Sequence, residues 1–422
     1  MKQTEGTITD LARARAHIVG ALFAVNSLVL AAIIAMGTVF SIVAADLAGN
    51  PAWAGAPNAL LSLAGGLMAP LLAASWDRWG RRRGLALSLA AGALGAGLAA
   101  ASVELRTGWL FGLGILAIGA TQAGGRLSRF IAAEVNPAEG RGRAISVVVW
   151  GGTIGAVGGP LLVGPSSRLA AALGWDELSG PIALGLPLLA LSALISYAGL
   201  RPEPLELSRQ LESAGQDDAV AAAPARPLRR LLSHPGILVA MTAMVLSQMV
   251  MVMLMGITSL YMHDHDHTLS GISVVFAAHT LGMFAFSPLA GRLSDRAGRG
   301  PVIVVGALMM VLSTLLAPAS HALSVLVTGL FLLGLGWNFC FVGGSALLAD
   351  LLTSPERSKT QGTNDLLVGV VSGVGSLSSG LIYAALGYRV ISLLGGALIL
   401  TAGLAGVWWS LYRRQPRAAP AD

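Results

Sequence analysis

Along this chain, long apolar runs alternate with short polar gaps. Runs of about 20 apolar residues cross a ~30 Å hydrocarbon core as helices. They predict twelve membrane spans, at 18–42, 57–76, 84–103, 108–133, 144–165, 180–200, 236–261, 270–291, 301–317, 322–350, 362–386 and 390–411. Helix is the expected state because backbone groups in lipid must be satisfied within their own segment. The run from Ile18 to Ile42 is too long for the apolar stretch of a signal peptide and lacks a clear cleavage site, so it reads as the first span.

Composition agrees. Of 422 residues, 55% are hydrophobic and 11% charged, with mean hydropathy +0.72. A soluble domain carries about 25% charged residues. The 54 glycines suit close helix packing in lipid. The net charge of +6 and pI near 10.1 admit a nucleic-acid partner until the basic residues are placed. With both termini cytoplasmic, 24 of the 27 Lys and Arg fall on the cytoplasmic side, leaving Arg106, Arg168 and Arg389 outside. The high pI is then a topology signal, and the expected partner is a lipid bilayer rather than nucleic acid. Cys340 is the single cysteine and cannot form an internal disulfide.

The polar stretch 201–234 reads as a cytoplasmic linker with a short surface helix from Pro204 to Glu212. It separates an N-terminal bundle, 1–200, from a C-terminal bundle, 235–422. Trp76-Asp77-Arg78-Trp79-Gly80-Arg81-Arg82-Arg83 lies between spans 2 and 3. Gly291-Arg292-Leu293-Ser294-Asp295-Arg296-Ala297-Gly298-Arg299 holds the same place between spans 8 and 9. Asn136-Pro137-Ala138-Glu139 and Ser354-Pro355-Glu356-Arg357 match more loosely. Repeated halves mark a large class of transporters. With these doubled loops, twelve spans and a long central loop, the chain resembles the major facilitator superfamily. One departure is Ala73, where that family usually has glycine; the second copy keeps Gly291. The resemblance implies two pseudo-symmetric six-helix bundles and alternating access. Asp77, Arg78, Arg81, Gly291, Asp295, Arg296 and Arg299 are then expected to form the cytoplasmic gate.

Soft side chains concentrate in one window. Eight of 13 Met and four of 7 His lie between Met241 and Met283. At three-four spacing, span 7 carries Met241, Met244, Gln248, Met251, Met255, Thr258 and Met262 on one face. That stripe is expected to face the central cavity, with Met249 and Met253 packing off it. In span 8, His279 and Met283 share a face, and an imidazole inside a membrane is usually functional. Thioethers suit Cu(I) and imidazole suits copper, whereas hard ions want carboxylates, which spans 7 and 8 lack. Met251, Met255, His279 and Met283 are the candidate ligands. Met262, His263, His265 and His267, with Asp264 and Asp266, form a candidate extracytoplasmic capture loop. Met244 and Gln248 are candidate cavity-lining residues.

The pair Met251-x-x-x-Met255 and His279-x-x-x-Met283 is similar to motifs of the CcoA-type copper importers. The resemblance implies copper ion as transported substrate, no resident cofactor, a cytoplasmic copper chaperone as partner and a role in cytochrome oxidase assembly. Riboflavin or another small organic molecule stays open as cargo, because that branch is thought to include riboflavin importers; so does drug efflux. The Gly151–Pro160 stretch only loosely matches the drug–proton antiporter motif. Asn26, Gln122, Asn338, Asn364 and Asp365 are further cavity candidates; Arg126 and Arg129 are candidate partners of Glu134. Cys340 reads as core. No phosphate loop, catalytic triad or closed zinc site marks an enzyme.

Overall fold

The computed structural model describes residues 2–137, 140–208 and 226–412, and among these the regular elements are all helices. Two compact units result. Among the described residues, one unit comprises 2–50, 56–208 and 268–273, the other 51–55, 226–267 and 274–412. Nine described helices are long and apolar enough to cross a membrane, and the last, Thr360–Tyr412, carries both spans 11 and 12. Spans 2 and 4 are the helices Ala56–Trp79 and Gly108–Glu134.

In the first unit, span 1 (Lys2–Ala48) is central. Its Leu22, Val25, Met36 and Phe40 pack with Leu85, Leu89, Ile115, Ile118 and Leu189 of spans 3, 4 and 6. Span 5 (Arg141–Leu161) approaches it through Gly151, Gly155 and Gly159, one helix face. A Cβ at Gly151 would lie 2.6 Å from the Phe23 carbonyl oxygen, and those at Gly155 and Gly159 would collide with the carbonyls of Ser27 and Ala31. This glycine run is therefore a helix crossing of the small-residue kind that membranes favour. A helix absent from the apolar pattern, Val163–Ala172, follows it.

In the second unit, span 7 (Pro235–His263) is enclosed by glycine faces. A Cβ at Gly344 of span 10 would lie 2.9 Å from both the Ala240 oxygen and Met244 Cγ. One at Gly375 of span 11 would meet Met253 Cγ at 3.2 Å and Met249 Cγ at 3.3 Å. One at Gly395 of span 12 would meet Leu254 Cδ1 at 3.0 Å. Spans 11 and 12 form one helical run, Ser354–Tyr412, broken at Gly387 (φ 78°).

Span 8 is broken as well, into Leu269–Phe284 and Ser287–Ala297. Pro288 lacks the N–H that the Phe284 carbonyl would accept, so the helix interrupts one turn before it. The Asn338 amide of span 10 donates to the Met283 carbonyl and lies 2.6 Å from Ser287 Oγ, supplying a partner at the break.

The doubled loops adopt one conformation. Gly80 has φ 85°, ψ 160° and Gly298 has φ 94°, ψ 162°, each immediately before the next helix. Only glycine visits this region without strain. Arg81 Nε lies 3.1 Å from Glu134 Oε2. Arg299 bonds Asp295, reaches Asp350 Oδ2 at 3.0 Å and donates to Ser294 Oγ at 3.2 Å. Arg78 and Arg296 are exposed, and a Cβ at Gly291 would meet no atom within 4 Å. The side chain of Asp77 lies outside the described residues, as do those of Arg126 and Arg129. Glu134 is thus engaged by Arg81.

Both described ends of the linker are tied down. Glu203 Oε1 accepts from the backbone N–H groups of Arg81 (2.6 Å) and Arg82 (3.2 Å), at the start of span 3. Arg226 forks onto Glu356, Nε to Oε1 at 2.7 Å and Nη2 to Oε2 at 2.8 Å, and also donates to the Leu351 carbonyl. Glu356 is buried, and Arg226 holds its carboxyl well below the usual carboxylate range. Residues 204–208 are helical; the remainder of the expected helix to Glu212 lies outside the described residues.

Candidate functional site

The methionine stripe of span 7 is not one open face. Met241 and Met244 are buried with Ile237, Leu347, Leu348 and Trp409. Met244 Sδ receives Ser345 Oγ at 3.3 Å, so it packs inside the bundle instead of lining a cavity. Thr258 is buried too and lies 3.0 Å from Tyr388 OH. Met255 and Met262 are buried, Met251 is half-buried, and Met249 and Met253 pack on Gly375 as their spacing predicts. The physical reason is enclosure: a helix with close neighbours on several sides fills its gaps with an unbranched, adaptable thioether.

The expected capture loop is ordered by a clamp that includes His321, a residue the sequence pattern does not single out. The His265 ring stacks on His321 (centroids 4.0 Å) and lies 4.5 Å from Tyr261, whose ring stacks on Tyr388 at 4.2 Å. His265 Nδ1 donates to the Tyr261 carbonyl at 2.7 Å, and His267 Nε2 donates to the His321 carbonyl at 2.8 Å. Tyr383 OH donates to Asp264 at 2.6 Å. His265 and His267 thus each commit one ring nitrogen to structure, while His263 is exposed. Among the described residues, no group of three or more His, Cys, Asp or Glu is arranged to hold a metal ion.

His279 is buried in span 8, and its Nδ1 donates to the Leu330 carbonyl of span 10 at 2.9 Å. Gly282, three residues on, packs against the Phe331 carbonyl. The His279 face of span 8 therefore seats on span 10. Met283 is half-buried beside the break. Cys340 is fully buried, with Sγ 3.6 Å from the Ile303 carbonyl, and is core. Asp46 pairs with Arg106, and Asp365 is exposed, 2.9 Å from Gln361 Nε2. Asn26 donates to the Val148 carbonyl at 2.9 Å.

Spans 7, 8 and 10 bring a different set together. Trp337 and Phe341, one turn apart on span 10, stack with centroids 4.9 Å apart and planes 20° from parallel. Phe284, at the break of span 8, meets Trp337 edge-on at 6.4 Å. Trp337 Nε1 donates to Gln248 Oε1 of span 7 at 2.9 Å. All four side chains are half-buried. The result is a stacked aromatic pair whose outer ring face forms a flat shelf, with an amide at its rim, beside a helix break. A half-exposed amide in a membrane span is costly against lipid, and here its oxygen is taken up by the Trp337 indole. Aromatic spacing within an apolar run gives no sign of this, because i, i+4 rings read as core.

The profile of the Major Facilitator Superfamily matches residues 21–270 and 240–422. The chain is 33% identical over 374 residues to the MFS-type transporter YdeG of Bacillus subtilis, covering 88% of this chain and 86% of that protein. It is 28% identical over 353 residues to the riboflavin transporter RfnT of Brucella anthropi, covering 83% and 85% respectively. In fold it is similar to a bacterial homologue of the human lysosomal transporter Spinster in an inward-facing, occupied conformation. That match has a TM-score of 0.73 at 16% identity, over 96% of this chain and 99% of that one.

Proposed function

The chain belongs to the major facilitator superfamily, and from that premise we propose that it moves a flat, uncharged organic molecule of the riboflavin type across a bacterial inner membrane. The observation that carries this reading is the Trp337–Phe341 shelf with Gln248 at its rim. Stacked rings recognise planar ring systems through offset π contacts. A small polar group at an otherwise apolar surface fixes orientation. Similarity to a riboflavin transporter across most of both chains supports the same cargo class. Import by alternating access, with both termini cytoplasmic, completes the proposal.

Copper is the second reading, and one observation favours it. With its Nδ1–H given to the Leu330 carbonyl, His279 keeps the Nε2 lone pair, the arrangement metal-binding imidazoles use. Met251, Met255 and Met283 would be the soft partners, and copper the cargo passed to a cytoplasmic chaperone.

Purified protein in sealed vesicles separates the two. Riboflavin should accumulate above protein-free vesicles, and Trp337→Leu should reduce the rate, while Met251→Leu with Met255→Leu leaves it unchanged. Copper uptake that needs His279, with no riboflavin uptake, would overturn the first reading.

A further inference from the structure

The hydrogen bond between Trp337 and Gln248 settles more than their contact. An indole N–H only donates, so the atom of Gln248 that faces it is the carbonyl oxygen. The usual ambiguity of a glutamine amide is thereby removed. The NH₂ group is turned away from the indole and keeps its donors for a ligand. The indole that holds the amide stacks on Phe341 and meets Phe284 edge-on. None of these rings is charged, and of these only the indole is a hydrogen-bond donor, already used.

Resting on the flat-organic-cargo reading, we propose that Gln248 is the specificity-determining donor of this site. Its Nε2 reads a carbonyl or ring-nitrogen acceptor on the edge of a neutral ring system lying against the Trp337–Phe341 shelf. Shelf and donor divide the recognition. The rings accept any flat aromatic of suitable size, and the amide selects those with an in-plane acceptor at one edge. Trp337 therefore has two functions, as stacking surface and as the group that fixes the amide orientation.

Gln248→Glu and Gln248→Met separate these functions. The carboxylate still accepts the indole N–H and preserves the shelf but offers no donor. The thioether is neutral, similar in length and offers none either. Riboflavin is the probe, and quenching of its fluorescence in nanodisc-embedded full-length protein is the readout. Both variants should bind it about tenfold more weakly, the effect of losing about 1.4 kcal/mol, with the thermal unfolding midpoint kept in Gln248→Glu, which retains the indole's acceptor. Trp337→Phe, which keeps a ring but frees the amide to flip, should give a smaller loss. Wild-type affinity in either Gln248 variant overturns the donor assignment while leaving the flavin reading standing. A matching fall of the unfolding midpoint in both variants assigns Gln248 to packing and overturns it too. No binding by the unaltered protein overturns the flavin reading itself and the substrate class inferred from it.

Discussion

Gly344→Val tests the enclosure of span 7. Gly344 is buried where span 10 crosses span 7, and a Cβ there would stand 2.9 Å from the Ala240 carbonyl oxygen and 2.9 Å from Met244 Cγ. The two obstacles differ. Met244 has three rotatable bonds and yields; the Ala240 carbonyl is helix backbone and does not. Overpacking of this kind costs about 1–3 kcal/mol, and valine belongs at the upper end because its γ-carbons extend the clash. The assay is thermal unfolding of detergent-purified protein, with Gly369→Ala as control. A Cβ at Gly369 meets nothing within 4 Å, and a helical alanine there is neutral or stabilising by roughly 0.5–1 kcal/mol. Met244→Ala alone costs about 2–5 kcal/mol as a buried truncation. In the double variant it removes one of the two obstacles, so the combined loss should fall short of the sum by about 1 kcal/mol. An unchanged midpoint in Gly344→Val would refute the close crossing. Strict additivity would show that Met244 does not pack there.

Three further outcomes follow from other parts of the molecule. Tyr383→Phe removes the donor to Asp264 and should cost about 0.5–1.5 kcal/mol; faster hydrogen exchange in 261–268 than in the unaltered protein is the readout, and unchanged exchange contradicts the clamp. His321→Ala should loosen the same segment further, since it removes the ring on which His265 stacks. Glu356 has its folded-state pKa depressed by Arg226, so its contribution is complete at neutral pH and is lost only as pH falls below the ordinary carboxylate range. The stability difference between the unaltered protein and Glu356→Gln should therefore hold constant from pH 8 to about 5. A difference that shrinks toward neutral pH contradicts the depressed pKa.

The scaffold was legible because lipid leaves the backbone few choices. Span lengths and the recurrence of Gly80 and Gly298 each follow from a local rule, and the two glycines share one left-handed conformation. The methionine stripe was less legible. Periodicity says which residues share a face but not what stands opposite it. The glycines that enclose span 7 lie about 100 residues and more away, at 344, 375 and 395. His321 stands alone in a short loop and acquires meaning only by stacking on His265. Trp337 and Phe341 read as interior because nothing in an apolar helix distinguishes a fully packed ring from one left half-exposed. The break in span 8 had one sign, Pro288, and its partner Asn338 is contributed by another helix.

The proposed cargo of this transporter is a flat organic molecule held at Trp337, Phe341 and Gln248. The most direct test is side-by-side titration of one purified preparation with riboflavin and with Cu(I), using the unaltered protein, Trp337→Leu and the Met251→Leu/Met255→Leu pair. Riboflavin should bind saturably, more weakly in Trp337→Leu and unchanged in the methionine pair. Stoichiometric Cu(I) binding lost in the methionine pair, with no saturable riboflavin binding, would contradict that cargo.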